Sequence, residues 1–332
     1  MKKAVHCLAL LLLFCAVLCC TGCTEVSISK GESDIDAELV VVGFSQVGSE
    51  SDWRLANTSS MTSALTEENG YRLLFDNAKQ KQENQYRAIR NFIQQDVDYI
   101  VLAPISETGW DSVLREARAA GIPVIVVDRQ VSVEDDSLYR SWVGSDFYQE
   151  GKTAVGWMEK EFAAVESLRI LHLQGTEGAT AQLLRSRALE EAVGRHRTWS
   201  VEAALKGEFT EAKGYEVVRD FLKTGTDFDV LYSENDNMTF GAMRALDEAG
   251  ISYGRDGKVK IISFDAVRKA LEFCLDGKIN LCVECNPLHG PRVDRLIRSC
   301  EAGDSVQKFS YVEETSFTCD TITRQMIDER EY

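Results

Sequence analysis

Short, continuously apolar runs alternate with amphipathic stretches along most of the chain. The runs are 39–45 (LVVVGFS), 71–76, 99–104, 123–128, 141–146, 169–175, 229–235, 260–265 and 279–285. Strands without apolar–polar alternation are those covered on both faces, so these runs predict parallel sheet flanked by helices. Between them, 52–69, 82–95, 111–120, 147–162, 180–193, 211–224, 237–249, 266–276 and 287–302 have helical length. Gly70, Gly121, Gly194 and Gly250 stand where helix C-caps are expected. The pattern predicts an α/β protein, doubly wound.

The first residues break this pattern. Lys2 and Lys3 precede an apolar stretch, Leu8 to Leu18, that is too short to span a bilayer, and small residues then lead to Cys23. That order resembles a bacterial lipoprotein signal, cut after residue 22 so that Cys23 becomes the lipidated first residue. Cys20 stands where such signals usually carry leucine. An ordinary cleavable signal, releasing a soluble protein, is the alternative. Residues 23–38 read as a tether, polar and acidic from Gly31 to Glu38. The folded part is therefore expected outside the cytoplasm, held to the bacterial membrane through Cys23.

The chain beyond the signal is longer than one hydrophobic core normally serves, so two lobes are expected. The formal net charge is −16, and it becomes more negative when the lysines of the signal leave. Nucleic acid and anionic lipid are unfavourable partners for such a surface. Of the ten cysteines, Cys7, Cys15, Cys19 and Cys20 leave with the signal, and Cys274, Cys282, Cys285, Cys300 and Cys319 remain beside Cys23. Their pairing is open. Cys282 and Cys285 have CxxC spacing, but strand alternation sends the two side chains to opposite faces, so core cysteines are expected rather than a zinc or redox site.

In open parallel sheets, ligands bind beyond the carboxyl ends of the strands. Those ends are polar here: Asp128 with Arg129, Asp146, Asn235 with Asp236, and Asp265. Glu50, Ser51, Trp53 and Arg54 open the first helix, and the loop 174–180 leads into a helix with Arg185 and Arg187. Carboxylates accept hydrogen bonds, guanidinium donates several in a plane, and Asn does both, which suits a ligand dense in hydroxyls. A monosaccharide is such a ligand, and Trp53 would offer its C–H face an apolar plate. Arg129 would hold Asp128 ionised. Each residue also has a purely structural reading: Asp146 and Asp236 as helix caps, Arg185 and Arg187 as solvated surface, Trp53 as core. Convergence of so many polar residues at the strand ends favours a binding site.

The segments VGFSQVGSESDWR (42–54), KQENQ (81–85), IPVIVVDR (122–129), LQGTEGAT (173–180), YSENDNM (232–238), ISFD (262–265) and the NP of 286–287 resemble the periplasmic sugar-binding proteins of the ribose type. The likeness is nearest to those that bind galactofuranose for an ABC importer, and it runs from Leu39 to Tyr332. It implies two doubly wound parallel-sheet lobes joined by a three-strand hinge, with the ligand cleft between them. The lobes would be 39–143 plus 286–313, and 144–285 plus 314–332. By matching motif, the ligand residues would be Glu50, Ser51, Trp53, Arg54, Asp128, Arg129, Arg185, Asn235 and Asp265. A cleft-facing glutamine of ribose-type relatives falls at Cys285, or at Glu284 if the register slips by one. Asp52 and Glu177 depart from the galactofuranose pattern and leave the exact sugar open.

Enzyme signatures are missing: there is no GxGxxG after the first strand, no Walker A loop, no HExxH and no GxSxG. The GTEGAT turn reads as an ordinary strand-to-helix glycine turn rather than a phosphate site. His172, His196 and His289 are expected in core or surface roles. No cofactor and no metal are expected. The expected partners are a monosaccharide, an ABC permease and membrane lipid through Cys23, with the protein a monomer that binds no nucleic acid. The alternative is a sugar-sensing lipoprotein that signals to a membrane histidine kinase.

Overall fold

A computed structural model describes residues 39–332; the expected signal, Cys23 and the tether through residue 38 lie outside the described residues. In chain order the elements are β1 (Val40–Gln46), α1 (Asp52–Ala64), β2 (Tyr71–Asn77), α2 (Gln82–Gln94), β3 (Tyr99–Leu102), α3 (Asp111–Ala119), β4 (Val124–Val127), β5 (Ser141–Gly144), α4 (Phe147–Glu161) and β6 (Leu168–Gln174). After these come α5 (Thr180–Arg195), β7 (Trp199–Lys206), α6 (Glu211–Leu222), β8 (Val230–Ser233), α7 (Asp236–Glu248), β9 (Lys260–Asp265), α8 (Arg268–Leu275), β10 (Leu281–Glu284), α9 (Gly290–Glu301), β11 (Phe309–Tyr311), β12 (Ser316–Thr318) and α10 (Arg324–Asp328).

The strands form two sheets. One has the order β2-β1-β3-β4-β5-β11 and is parallel throughout. The other has the order β7-β6-β8-β9-β10-β12, parallel except for β12, which runs antiparallel to β10. The chain passes between the sheets after β5, after β10 and after β11.

Both faces of each sheet are covered, as the unbroken apolar runs require. In β3 and β4, Ile100, Leu102, Val124 and Val126 pack with α2 and α3 around Ile89, Phe92 and Leu114. Their neighbours Tyr99, Val101, Ile125 and Val127 face the opposite way, toward Met61 of α1 and Val293 of α9. The second sheet repeats this, with Ile170, Tyr232 and Ile262 against α4 and α5, and Leu171, Leu231 and Ile261 against α6, α7 and α8.

Three strands carry no apolar run and escape sequence reading. β7 lies at a sheet edge with most side chains exposed or half-buried, and β11 and β12 are only three residues long. The first helix ends at Ala64 rather than 69, with a separate turn over Glu67–Asn69. α8 starts only at Arg268, because Asp265 and Ala266 have φ of 105° and 60°. Gly70, Gly121 and Gly250 take the left-handed conformation expected of caps. Gly194 does not, and lies inside α5, which ends at Arg195 with His196 as C-cap.

Candidate functional site

The carboxyl ends of the two sheets face one tight polar cavity. The structure brings together all nine residues singled out from the sequence: Glu50, Ser51, Trp53, Arg54, Asp128 and Arg129 from one side, Arg185, Asn235 and Asp265 from the other. The lips meet through backbone donors. Asp52 N–H donates to Asn237 Oδ1 (2.9 Å), Gln130 N–H to Thr180 Oγ1 (2.8 Å) and Glu107 N–H to the Gly178 carbonyl (3.0 Å).

On the first side, local chain chemistry places the groups. Ser51 is the N-cap of α1, accepting from Arg54 N–H at 3.1 Å, which sets Trp53 and Arg54 in the first turn. The Arg54 guanidinium donates to Glu50 Oε1 (2.9 Å), Asp128 Oδ2 (2.6 Å) and Gln46 Oε1 (3.3 Å), and lies 4.7 Å above the Trp53 ring. Asp128 follows β4 with φ 63°, a left-handed conformation that Asp tolerates better than most residues. Burial alone would raise its carboxyl. Arg54 and Arg129 outweigh that and hold it below the usual range, so Asp128 is an ionised acceptor. Arg129 donates to the Ile105 carbonyl (2.9 Å), with its Nε 3.8 Å from Asp128 Oδ2. Its guanidinium reaches across to the Phe209 ring at 5.2 Å.

On the second side, Arg185 of α5 is buried, with 2 % of its surface exposed. It sits between the rings of Phe147 and Phe264 and donates to Glu150 Oε2 (2.7 Å) and the Glu234 carbonyl (2.6 Å). Its Nη2 is 3.7 Å from Asp265 Oδ1. Asp265 ends β9. Burial first, and then the carboxyls of Asp236, Glu150 and Asp128, push it well above the usual range against the pull of Arg185. The cavity thus holds one carboxyl kept ionised and one driven toward its neutral, hydrogen-bond-donating form. Asn235 caps α7, accepting from Met238 N–H (2.9 Å) and donating to the Phe209 carbonyl (3.2 Å), which leaves one lone pair and one N–H of its amide. Buried Glu50 Oε2 and Arg185 Nη2 have no hydrogen-bond partner among the described residues. Such groups are costly unless something pairs with them.

The surface reading of Arg185 fails, because its guanidinium is drawn inward by Glu150, whereas Arg187 is exposed and pairs with Glu191 at 2.8 Å. Asp146 caps α4 as its position indicates, accepting from Gln149 N–H. Asp236 does not cap its helix: Asn235 does, and Asp236 accepts instead from the Ser263 hydroxyl and Val267 N–H. At the last strand, Cys285 lines the cavity, while Glu284 turns away to Thr315 N–H and the Tyr332 hydroxyl. The structure therefore selects Cys285 of the two registers. Cys282 is core, as expected.

Phe147, Ala181 and Phe209 line the cavity and carry no sequence signal. Phe147 hides behind the Asp146 cap, and Phe209 follows the unrecognised edge strand β7. Glu150, the partner of Arg185, is missed because one buried glutamate in a helix looks like any exposed one. His172 and His289 are buried, His172 against Glu234 at 2.9 Å and His289 edge-on to Trp53, while His196 stacks on Trp199 at the surface. Burial lowers His289 to about 4, against Asp128, so it is neutral at physiological pH.

Among known proteins, the periplasmic binding protein domain family matches residues 42–288. The galactofuranose-binding protein YtfQ of Escherichia coli (strain K12) is 37% identical over 294 residues, covering 87% of this chain and 91% of that protein. A solved structure from Mycobacterium smegmatis, in complex with β-D-fucofuranose, is 40% identical with a TM-score of 0.81, over 85% of this chain and 92% of that one. The binding component of the arabinose ABC transporter from Shewanella sp. ANA-3, bound to α- and β-L-arabinofuranose, is 37% identical with a TM-score of 0.80, over 88% and 99%. With two parallel-sheet lobes whose strand ends share one polar cavity, and with these matches along nearly all of its described length, the chain belongs to the periplasmic binding protein domain family.

Proposed function

We propose that this protein captures a monosaccharide in its furanose ring form and presents it to the permease of an ABC importer, as a monomer anchored in the membrane through a lipid on Cys23. The observation that carries the reading is the cavity itself. Three buried arginines alternate with carboxyls of opposite protonation tendency around one tight cavity, and Glu50 Oε2 and Arg185 Nη2 are left without hydrogen-bond partners among the described residues. A compact polyol supplies what these groups lack, since each hydroxyl donates once and accepts twice. Trp53, Phe147 and Phe209 provide apolar plates for its C–H faces. Support for the furanose form comes from the sugars bound by the three relatives above, each 37% identical or more.

The moving bodies in this reading are 39–143 plus 286–313 and 144–285 plus 314–332, hinged where the chain passes between the sheets. Binding is tested by thermal shift and calorimetry on the chain from Thr24, with L-arabinose, D-fucose and D-galactose each presented at ring equilibrium. Labelled sugar then reports the bound ring form by NMR. A ligand at one hundred times its Kd stabilises by about 2.7 kcal/mol. Tight binding of a pyranose with furanose excluded, or no sugar bound at all, sinks the proposal. The anchor is tested separately: Cys23→Ser should stay unprocessed or leave the membrane fraction, and unchanged processing and fractionation would rule the lipid out.

A further inference from the structure

Behind Cys285, the three passages between the sheets converge on one carboxyl. Glu314, between β11 and β12, accepts from the Ser145 hydroxyl (2.5 Å), on the passage after β5, and from Asn286 N–H (2.7 Å), on the passage after β10. The Ser145 hydroxyl is in turn 3.3 Å from the Cys285 thiol. Glu150 of α4 approaches from the other side: side-chain ligand atoms of Glu150, Cys285 and Glu314 all lie within 4.8 Å of one another. Glu150 Oε2 takes the Arg185 guanidinium, while Oε1 is buried with no hydrogen-bond partner among the described residues. Two carboxylates cannot both remain ionised at this separation without a counter-charge between them. Among the described residues, Arg185 is the one cation facing the group, and it also serves Asp265.

We propose that Glu150 and Glu314 share a single proton, forming a hinge clasp that positions Arg185 against the ligand and couples sugar affinity to pH. The inference rests on the sugar-binding reading above. Burial, and then the charge of Glu150, push Glu314 up to about 9, with Ser145, Asn286 N–H and Arg185 opposing. Glu150 is raised as well, by burial against Arg185. Cys285 is raised by burial and then by both glutamates, so its thiol stays neutral beside them. With the hinge closed the proton is retained to about pH 9, whereas a carboxyl freed by hinge opening returns toward the ordinary value near 4.3. Closure then takes up a proton across that window. Affinity is full at low pH and falls as pH rises toward 9, by at most about ten-fold per pH unit, the slope of one proton.

The test uses the full chain in detergent with L-arabinose as probe, by calorimetry from pH 5 to 10, beside Glu314→Gln. Glutamine keeps a carbonyl for Ser145 and Asn286 and supplies a permanent N–H toward Glu150, so it mimics the protonated acid. Wild type should lose affinity more steeply as pH rises than E314Q, in which only the titration of Asp265 remains. Superimposable pH profiles overturn the clasp. A second measurement needs no sugar: at pH 7 the infrared difference spectrum, wild type minus E314Q, should show a protonated-carboxyl stretch. Its absence also overturns the clasp, as does stoichiometric zinc in the purified protein that Cys285→Ser removes. The stretch present with no sugar binding would uphold the shared proton and refute the sugar reading. Should E314Q fail to fold, Ser145→Ala decides: loss of the Ser145 donor to Glu314 should move the alkaline loss of the stretch to higher pH, and an unmoved loss overturns the clasp.

Discussion

Asp128 concentrates the charge of one wall of the cavity, lying between Arg54 at 2.6 Å and Arg129 at 3.8 Å. Removing one partner of a buried charge pair costs on the order of 2–5 kcal/mol, partly because the other charge is left unpaired. The fair replacement is asparagine, because at φ 63° alanine would add backbone strain to the loss of charge. Asp128→Asn should weaken sugar binding by roughly thirty-fold or more while the protein stays folded; unchanged calorimetric affinity would remove Asp128 from the site. Adjacent Trp53 and Arg54 should respond differently. The indole N–H donates to the Cys285 carbonyl at 2.7 Å, so Trp53→Phe retains an apolar plate but leaves that buried oxygen unpaired, a cost of about 1–3 kcal/mol. It should lower the thermal midpoint and weaken all sugars alike. Arg54→Lys loses the planar fork that joins Glu50, Asp128 and Gln46, and should reorder preference among sugars. A preserved preference order in R54K together with an altered one in W53F would reverse these assignments.

At the scale of elements, the α6–α7 contact offers a sharp test of packing. A Cβ on Gly241 would fall on the Glu211 carbonyl and within 2.6 Å of the Tyr215 backbone nitrogen, both in α6, and backbone cannot rotate aside as a side chain can. Gly241→Ala should therefore destabilise by about 1–3 kcal/mol, as overpacking does, despite the better helix propensity of alanine. Urea denaturation measures this, and a stability equal to wild type would mean that the two helices shift freely. The main strands and helices were legible because each buried strand is an unbroken apolar run and several helices begin at a capping residue such as Ser51 or Asp146. The illegible parts lie where burial fails. β7 sits at an edge with much of its surface exposed, and β11 and β12 acquire strand structure only by pairing with β5 and β10.

For the whole molecule, buried titrating groups predict an unusual pH dependence. Burial, against the Ser263 hydroxyl and Val267 N–H, pushes Asp236 up to about 7 from an ordinary value of 3.8. A raised carboxyl contributes stability that is complete below its unfolded pKa and is lost as pH rises to the folded value, here from about 4 to about 7, at no more than about 1.4 kcal/mol per pH unit. His289, lowered to about 4, acts in the other direction, because the unfolded chain takes up a proton below about 6.5. The two slopes cancel between about pH 4 and 6.5, so Asp236 shows by difference: relative to wild type, the stability of Asp236→Asn should rise with pH from about 4 to about 7. Thermal midpoints without sugar check this, and a difference between wild type and D236N that stays constant from about pH 4 to 7 would contradict the burial of Asp236 as an acid.

The sequence by itself determined that this is an α/β protein with polar strand ends, because burial on both faces and helix capping are local constraints written in runs of a few residues. It also singled out nine of the residues that line the cavity, through motifs lying next to those strand ends. Only the tertiary structure decided which neighbours share a cavity wall: that Arg185 turns inward to Glu150, that Cys285 rather than Glu284 faces the cavity, and that Phe147 and Phe209 complete it. It alone also gathered Ser145, Glu150 and Glu314 behind Cys285. A buried glutamate and an exposed one read the same along a chain. Their chemistry diverges only when residues from distant segments remove water from around them and leave each charge to the few groups within reach.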